Sequence, residues 1–392
     1  MSKNHLTYLL GLIPRMNIRY LIFFFIGLLC SVGVLAKASK GCRNFDVFYG
    51  GFAIAGDFED FKALYPFITN LSEQRDEKGH NAFQEMFREV FKEAENSAVN
   101  FTLQFAKADD EIDHQKIFAF VFTDERVSVE KVGGLYKCCV NLGADLLVLD
   151  FESMKVVGCE PIIWEIIETF ETPPKNKDIC DFLIRFMNSE KDFKKPLLGA
   201  FSRLNIQDFS RASVGVTAVT IEDDAISFLS VSQRTHLDGY KRWIANQYKT
   251  FLSSELNLAV LPYGEKGGAV TIKMAGRFKN TDRINFKIVP PSYGIELSLI
   301  RFKKVLKKET ASERLLIYGA YMRFRIKNSA SGFDEIIKKG LPKIVPKSMS
   351  VEDIDDLSAY QETLKNLFLK STKIMTGNKK FRKEVLKKCE RK

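Results

Sequence analysis

Residues 82–94 read AFQEMFREVFKEA, and residues 239–252 read GYKRWIANQYKTFL. Apolar residues recur in both stretches every three or four positions, which predicts two amphipathic helices. Each predicted helix is followed by a strand-like run, VNFTLQF at 99–105 and LNLAVL at 256–261. The helices begin 157 residues apart, at 82 and 239, and the strands also begin 157 residues apart, at 99 and 256. The two halves of the chain therefore share an order of elements.

The remaining elements continue this order in each half. In the first half we predict strands over 45–58, 117–129, 136–141, 145–152 and 154–159, a turn at 142–144 and a closing helix over 179–187. In the second half we predict strands over 214–221, 284–289, 295–305 and 315–326, a short helix over 269–278 and a closing helix over 358–369.

The pattern predicts an α+β fold of two tandem similar units, each a mixed, mostly antiparallel sheet packed by helices. The expected boundaries are 43–190 for the first unit, 191–211 for a linker, 212–372 for the second unit and 373–392 for a basic tail. Since residue identity between the halves is low, the alternative is one large mixed domain whose halves agree by chance.

The amino terminus has the pattern of an export signal. Residues 20–36 read YLIFFFIGLLCSVGVLA, without a charge, and they follow Arg15 and Arg19. Small residues at Ala36 and Ala38 complete a cleavage pattern, so 1–38 is predicted to be a signal peptide, with the start at Met1 or Met16. We therefore expect an exported protein of the periplasm or cell envelope. The alternative is an uncleaved single-helix membrane anchor at 20–36.

The net charge of +10 is concentrated at the two ends of the 392-residue chain. Residues 1–38 hold four basic and no acidic residues, residues 365–392 hold eleven basic and two acidic residues, and 39–364 therefore carry −3. A nucleic-acid binder usually spreads Lys and Arg over a folded face, so no nucleic-acid partner is expected. The tail is either a solvated end or a peripheral contact with anionic membrane. The residues expected to make such a contact are Lys379, Lys380, Arg382, Lys383, Lys387 and Lys388.

No motif predicts a catalytic or metal site. The chain has 4 His and 7 Cys without a C-x-x-C pair, so neither a metal nor a cofactor is expected. The neighbouring Cys138 and Cys139 lie in a strand-like run and should point to opposite faces. A spatial pair such as Cys159 with His114, or two carboxylates in a cleft, would instead indicate a hydrolase.

A glycine-rich loop is the candidate binding element. Residues 263–268 read YGEKGG and lie between a predicted strand and the helix predicted from 269. Backbone N–H groups at the start of a helix bind anions, although the loop matches neither a dinucleotide-binding nor a P-loop motif. A tight turn is the alternative. The candidate binding residues are Tyr263, Gly264, Lys266, Gly267 and Gly268.

The second half resembles a domain of bacterial envelope proteins. The run NLAVLPY at 257–263 is similar to the opening strand of the curli-secretion lipoproteins, the lipoprotein activators of penicillin-binding proteins and the TolB amino-terminal domain, in which a Leu-Pro-aromatic end leads into a helix. Residues 293–305 and 315–328 are similar to the two antiparallel strands that follow. The resemblance covers about 256–369 and also extends to uncharacterised exported bacterial proteins. It implies a periplasmic, non-catalytic domain that docks proteins. The chain departs from the pattern because neither Cys30 nor Cys42 has the sequence context of a lipid anchor.

The sequence favours an exported envelope protein with a non-enzymatic, protein-binding or assembly role. We expect an envelope protein as partner, docked through a sheet edge of the second unit or through the loop at 263–268. The alternative is an exported hydrolase with a cleft between the two units. A factor directed at a host is neither supported nor opposed by the sequence.

Overall fold

In the computed structural model, the two halves of the chain build two sheets with helices between and around them. The structure describes residues 45–55, 61–74, 81–94, 98, 101–105, 116–204, 206, 213–229, 231–256, 259–263, 269–274, 284–287, 290–328, 330–348 and 356–383. The strands are β1 (Phe45–Ala55), β2 (Phe101–Gln104), β3 (Lys116–Val132), β4 (Leu135–Asp150), β5 (Lys155–Phe170), β6 (Ser213–Ile221), β7 (Ala259–Leu261), β8 (Ala269–Met274), β9 (Ile284–Lys287), β10 (Tyr293–Glu309), β11 (Glu313–Asn328) and β12 (Phe333–Ser348).

Helices surround these strands and separate the two sheets. They are α1 (Phe61–Leu64), α2 (Pro66–Glu73), α3 (Ala82–Glu93), α4 (Asn176–Asn188), the π-helical turn α5 (Glu190–Lys194), α6 (Lys195–Phe201), α7 (Asp223–Ile226), α8 (Val231–Thr235), α9 (Leu237–Glu255), α10 (Asp356–Gly377) and α11 (Lys379–Phe381). In the part of the chain that the structure describes, no helix combines the length and apolarity needed to cross a bilayer.

The two sheets have the same topology. In the first, β1 lies between β2 and β3 and is parallel to both, and β4 and β5 follow as antiparallel neighbours. In the second, β6 lies between β7 and β10 and is parallel to both, and β11 and β12 follow as antiparallel neighbours. Each parallel pair at the edge is joined by one of the two helices recognised in the sequence, α3 or α9. The predicted α+β fold of two similar units is therefore confirmed.

The second half contains a hairpin that has no counterpart among the described residues of the first half. Strands β8 and β9 pair with each other and add to the first sheet, where β8 pairs with β1 and β9 with β5. The first sheet consequently has seven strands and its pairings run in a closed cycle, whereas the second has five. Residues 45–392 form one compact unit, so the two repeats are not independently placed domains.

Two predicted elements are wrong, and one strand is missing from the prediction. The helix predicted over 269–278 is the strand β8, whose sequence AVTIKM alternates between apolar and polar residues. The turn predicted at 142–144 lies inside the continuous strand β4. Gly143 serves close approach there, because a Cβ atom at this position would lie 3.1 Å from the Cβ of Asp124 on the neighbouring strand. Strand β12 was not predicted, since Pro342 and Pro346 mimic turn signals but are tolerated on an edge strand.

The expected linker at 191–211 is also wrong over its first half. Residues up to Phe201 are helical, and Phe193, Leu197 and Phe201 are fully buried in the core of the first repeat. Pro196 does not interrupt the structure because it lies in the first turn of α6, where proline needs no hydrogen-bonded N–H.

Each sheet has a large apolar core on the side of its own helices. In the first repeat, aromatic side chains of β3 pack against α3, α5 and α6, with ring centroids 4.4 Å apart for Phe87 and Phe120. In the second, residues of β10 and β11 pack against α9 and α10. A smaller core lies on the other face of the first sheet and includes Leu147 and Cys159. Helices α9 and α10 also contact the first sheet, so they form a layer between the two sheets.

Candidate functional site

A cleft of about 550 Å³ lies where the two repeats meet. Its walls come from α1 and α2 and from β3 and β4 of the first repeat, and from α8, α9 and the start of α10 of the second. Large pockets with a few converging polar groups are common ligand sites, and junctions between similar units favour them. The residues that give this cleft its chemistry are Asp124, Glu125, Arg126, Asn141, His236 and Arg242.

Strand β3 presents its charged residues to two different sides. Successive residues of a strand point to opposite faces, so Asp124 and Arg126 share a face and Glu125 lies on the other. Asp124 and Arg126 form an ion pair at 3.4 Å on the side of α9. Burial raises the pKa of Asp124, against the opposing effects of the Arg126 and Arg242 guanidinium groups.

The guanidinium of Arg126 is held on aromatic rings of α9. It lies 4.5 Å from the ring centroid of Trp243 and 5.7 Å from that of Tyr240, both within cation–π range. This stacking fixes the direction of the side chain without using its N–H groups. The Nε atom of Arg126 faces the Asp124 carboxylate at 3.4 Å, and neither Nε nor the buried Nη2 atom makes a hydrogen bond. Arg126 is thus a positioned cation with donor capacity left over.

Asn141 is the second group in the cleft with unused hydrogen-bonding capacity. It lies on β4 directly opposite Arg126 and is 4% exposed. Its Nδ2 donates to the Cys139 sulfur at 3.6 Å, but its Oδ1 is buried and has no partner. Most buried polar atoms in proteins are hydrogen-bonded, and an unpaired one costs about 1–3 kcal/mol. Such an atom in the wall of a cleft therefore marks a place where a ligand can donate a hydrogen bond.

The carboxylate of Glu125 holds the wall of the cleft together and is not available to a ligand. Its carboxylate accepts hydrogen bonds from the backbone N–H groups of Phe67 (3.0 Å) and Ile68 (2.8 Å) in the first turn of α2. These N–H groups have no partner within the helix, and the carboxylate also faces the positive end of the helix dipole. Burial raises the pKa of Glu125 to about 7, although the two hydrogen bonds oppose this shift.

Behind the cleft, polar contacts join the two repeats. Lys249 of α9 donates from Nζ to both carboxylate oxygens of Asp145 on β4, at 3.0 and 2.9 Å, and both side chains are almost completely buried. Ser253 donates to Glu160 of β5 at 2.5 Å. Lys365 of α10 pairs with Glu165 of β5. Lys249, on the polar side of α9, therefore forms its ion pair with a residue of the first repeat.

The described thiols are not arranged for nucleophilic chemistry. Burial raises the pKa of Cys138 to about 11 and that of Cys159 well above its ordinary value. A thiolate is the reactive form, so both groups are poor nucleophiles. Cys138 lies in the helix-side core and Cys139 on the opposite face beside Asn141, as predicted. His114 lies outside the described residues, and so its predicted pairing with Cys159 is untested. No group of three potential metal ligands occurs among the residues that are described.

Of the binding residues predicted from the sequence, the structure describes Tyr263, which does not line this cleft. Tyr263 is half-buried and packs against the core of the second repeat, while residues 264–268 lie outside the described part of the chain. The helix expected after this loop is a strand, so the helix-start argument for anion binding no longer applies. The same strand departs from the envelope-domain pattern, in which a helix follows the Leu-Pro-aromatic sequence.

The predicted membrane tail is partly folded. Helix α10 continues to Gly377, and Phe381 is 1% exposed within the core of the second repeat. Lys379, Arg382 and Lys383 are exposed. The side chain of Lys380 is not described, and Lys387 and Lys388 lie beyond the described residues.

Sequence reasoning missed the cleft because its walls are far apart in the chain. One signal was available: Asp124, Glu125 and Arg126 are three consecutive charged residues within the mostly apolar run of 117–129. Charges inside a strand that is apolar on both faces need partners, so they indicate a buried polar site.

The comparisons with known proteins identify no family. No family model matches the chain, and no curated protein matches it. Among solved structures, a homologue of the neuraminyllactose-binding hemagglutinin from Helicobacter pylori is 11% identical, with a TM-score of 0.26, over 45% of this chain and 91% of its own. A minor lipoprotein from Acinetobacter baumannii is 10% identical, with a TM-score of 0.21, over 42% and 91%. The rare lipoprotein B from Shewanella oneidensis is 10% identical, with a TM-score of 0.16, over 40% and 89%. TM-scores this low carry no argument about what this chain does.

Proposed function

We propose that this chain is an exported, non-enzymatic binding protein of the bacterial cell envelope, and that the cleft between its repeats holds a segment of a partner protein. The observation that carries the proposal is a pair of buried atoms without a hydrogen bond on facing positions of β3 and β4, Nη2 of Arg126 and Oδ1 of Asn141. The signal-like residues 1–38 support export.

The chemistry of these two groups favours a peptide. An extended backbone offers C=O groups as acceptors for Arg126 and N–H groups as donors for Asn141. An acidic side chain of the partner would add a counter-charge for Arg126, because planar guanidinium groups bind carboxylates in two places at once. Apolar residues of the cleft wall, Leu64, Pro66 and Val129, would pack against the neighbouring side chains of the segment.

The hydrolase alternative has no favourable observation among the described residues of the cleft. A glycosidase-like mechanism needs two carboxylates directed at one bond. Asp124 and Glu125 point to opposite faces of the sheet, and both oxygens of Glu125 accept hydrogen bonds from α2. The arrangement therefore supports binding better than bond cleavage.

Docking through the free edge of the second sheet has weaker support than docking in the cleft. Pro342 and Pro346 lie on the edge strand β12 and lack the N–H groups that an added strand would need.

A photo-crosslinking amino acid at Val129 tests the proposal in living cells. Val129 lines the cleft and is 42% exposed, while Ile184 on α4 is 38% exposed and lies outside the cleft, which makes it a matched control. We expect a discrete adduct with an envelope protein from Val129 and none from Ile184. The adduct should disappear in Arg126→Ala. Equal adducts from both positions, or an adduct that is indifferent to Arg126, would contradict the proposal.

A further inference from the structure

The hairpin of β10 and β11 extends beyond strand β6, and one of its faces packs on α10, where Leu316 and Tyr318 are buried. Strand β6 pairs with β10 only through Leu299, so the later residues of β10 pair with β11 alone. Strand β12 pairs with β11 along its whole length, as far as the first residue of β11, where Ser348 lies opposite Glu313. Residues 303–309, 313–319 and 342–348 therefore form a three-stranded extension, here called the ribbon.

The ribbon exposes large aliphatic side chains. Val305 is 40% exposed, Leu306 is 49% exposed and Ile344 is 50% exposed. Val305, Ile317 and Ile344 lie in one row across the three strands, since Ile317 is the register partner of both. Leu306 lies on the other side of the ribbon, opposite the buried Leu316. Contiguous exposed apolar surface of this kind marks an interaction site.

Lysines surround this apolar row. Lys304 pairs with Asp356 at 2.6 Å, and Lys343 pairs with Glu362, so α10 neutralises these two. Lys303, Lys307 and Lys308 are exposed and have no acidic partner among the described residues. The ribbon carries two acidic residues, Glu309, which pairs with Arg314 at 2.9 Å, and Glu313. The projecting end of β10 therefore combines aliphatic side chains with uncompensated positive charge.

We infer that the ribbon docks on the surface of an anionic phospholipid bilayer. In this arrangement Val305 and Ile344, which share a face of the ribbon, enter the headgroup region, and Lys303, Lys307 and Lys308 contact the lipid phosphates. The charge is complementary to an anionic surface, and the flexible lysine side chains reach the phosphates while the aliphatic groups are inserted. This site is distinct from the cleft between the repeats and from the basic tail.

Vesicle sedimentation of the full exported chain tests this inference. The probe is a vesicle in which about a third of the lipids are phosphatidylglycerol, and pure phosphatidylcholine vesicles serve as the neutral reference. The variant K303Q/K307Q/K308Q should weaken binding to the anionic vesicles on the order of 100-fold, because each lysine near the surface contributes roughly fivefold. The control K177Q/K191Q/K195Q removes three exposed lysines of the first repeat and should bind like the unmodified chain.

Two further variants separate the ribbon from its competitors. V305S/I344S should weaken binding even at high salt, where electrostatic attraction is screened. A chain that ends at Lys383 keeps the buried Phe381 and lacks only the last part of the tail, and it should still bind. Equal binding by the two triple lysine variants would overturn the inference. So would equal binding to neutral vesicles, or a loss of binding that requires only removal of 384–392.

Discussion

The two sheets share one topology but differ in how their faces are covered. In the first, the middle of β4 is buried continuously from Cys138 to Leu149, which is typical of a strand with both faces covered. In the second, β11 alternates between buried and half-buried residues from Tyr321 to Asn328, which is typical of a strand with one face toward solvent. The same repeat unit therefore yields a core sheet in one position and a surface sheet in the other.

The difference in how the two sheets are covered follows from the order in which sheets and helices stack. Helices α9 and α10 cover their own sheet on one side and the far face of the first sheet on the other. The equivalent far face of the second sheet carries Arg323, Arg325 and Lys327, which pair with Glu222, Asp334 and Glu296. The second sheet thus has a polar outer face toward solvent. The corresponding face of the first sheet is buried because α9 and α10 of the second repeat cover it.

Removing the buried cation at the junction should have the largest effect. Lys249→Met leaves Asp145 buried without a counter-charge, and we expect a loss of about 3–5 kcal/mol in the free energy of unfolding, measured with urea. The double variant D145L/K249M should recover much of this loss. Lys92→Met, which removes the exposed pair with Glu89, should cost less than about 1 kcal/mol. A small effect of Lys249→Met would mean that the repeats are not held together there.

A polar substitution on the far face of each sheet should show directly that one face is covered and the other is open to solvent. Leu147→Asn places an amide on the far face of the first sheet, where Leu147 is 0% exposed, and should cost about 3–4 kcal/mol. Ile344→Asn on the far face of the second sheet should change stability by less than about 1 kcal/mol. Similar losses in both variants would contradict the assignment of one covered and one open face.

The contact between α2 and β3 should make the first repeat sensitive to pH. Since the folded protein raises the pKa of Glu125 from 4.5 to about 7, the folded state binds the proton more tightly than the unfolded state. The contribution of Glu125 is therefore fully present below pH 4.5 and is lost as the pH rises to about 7. One pKa unit corresponds to about 1.4 kcal/mol, which limits the loss to about 3 kcal/mol. Glu125→Gln should flatten the stability profile between these pH values, and an unchanged slope would contradict the account.

The sequence predicts local structure here better than it predicts surfaces. The periodicity of α3 and α9 and the order of the surrounding elements were enough to identify the repeat. They could not show that Lys249, on the polar side of α9, is fully buried, because that depends on the first sheet packing over it. Nor could they show that Asn141 lies opposite Arg126, since strand register is set by the whole sheet. Strand β12 escaped prediction for a local reason, the two prolines of an edge strand.

The central claim is that the cleft between the repeats keeps polar groups unsatisfied for a partner, and Asn141→Leu tests it most directly. Leucine has a similar size and removes the unpaired Oδ1 atom together with one weak hydrogen bond to Cys139. We predict that the free energy of unfolding of the purified chain rises by about 1 kcal/mol, while the adduct from the photo-crosslinker at Val129 is lost. A variant that is less stable, or one that keeps the adduct, would contradict the account.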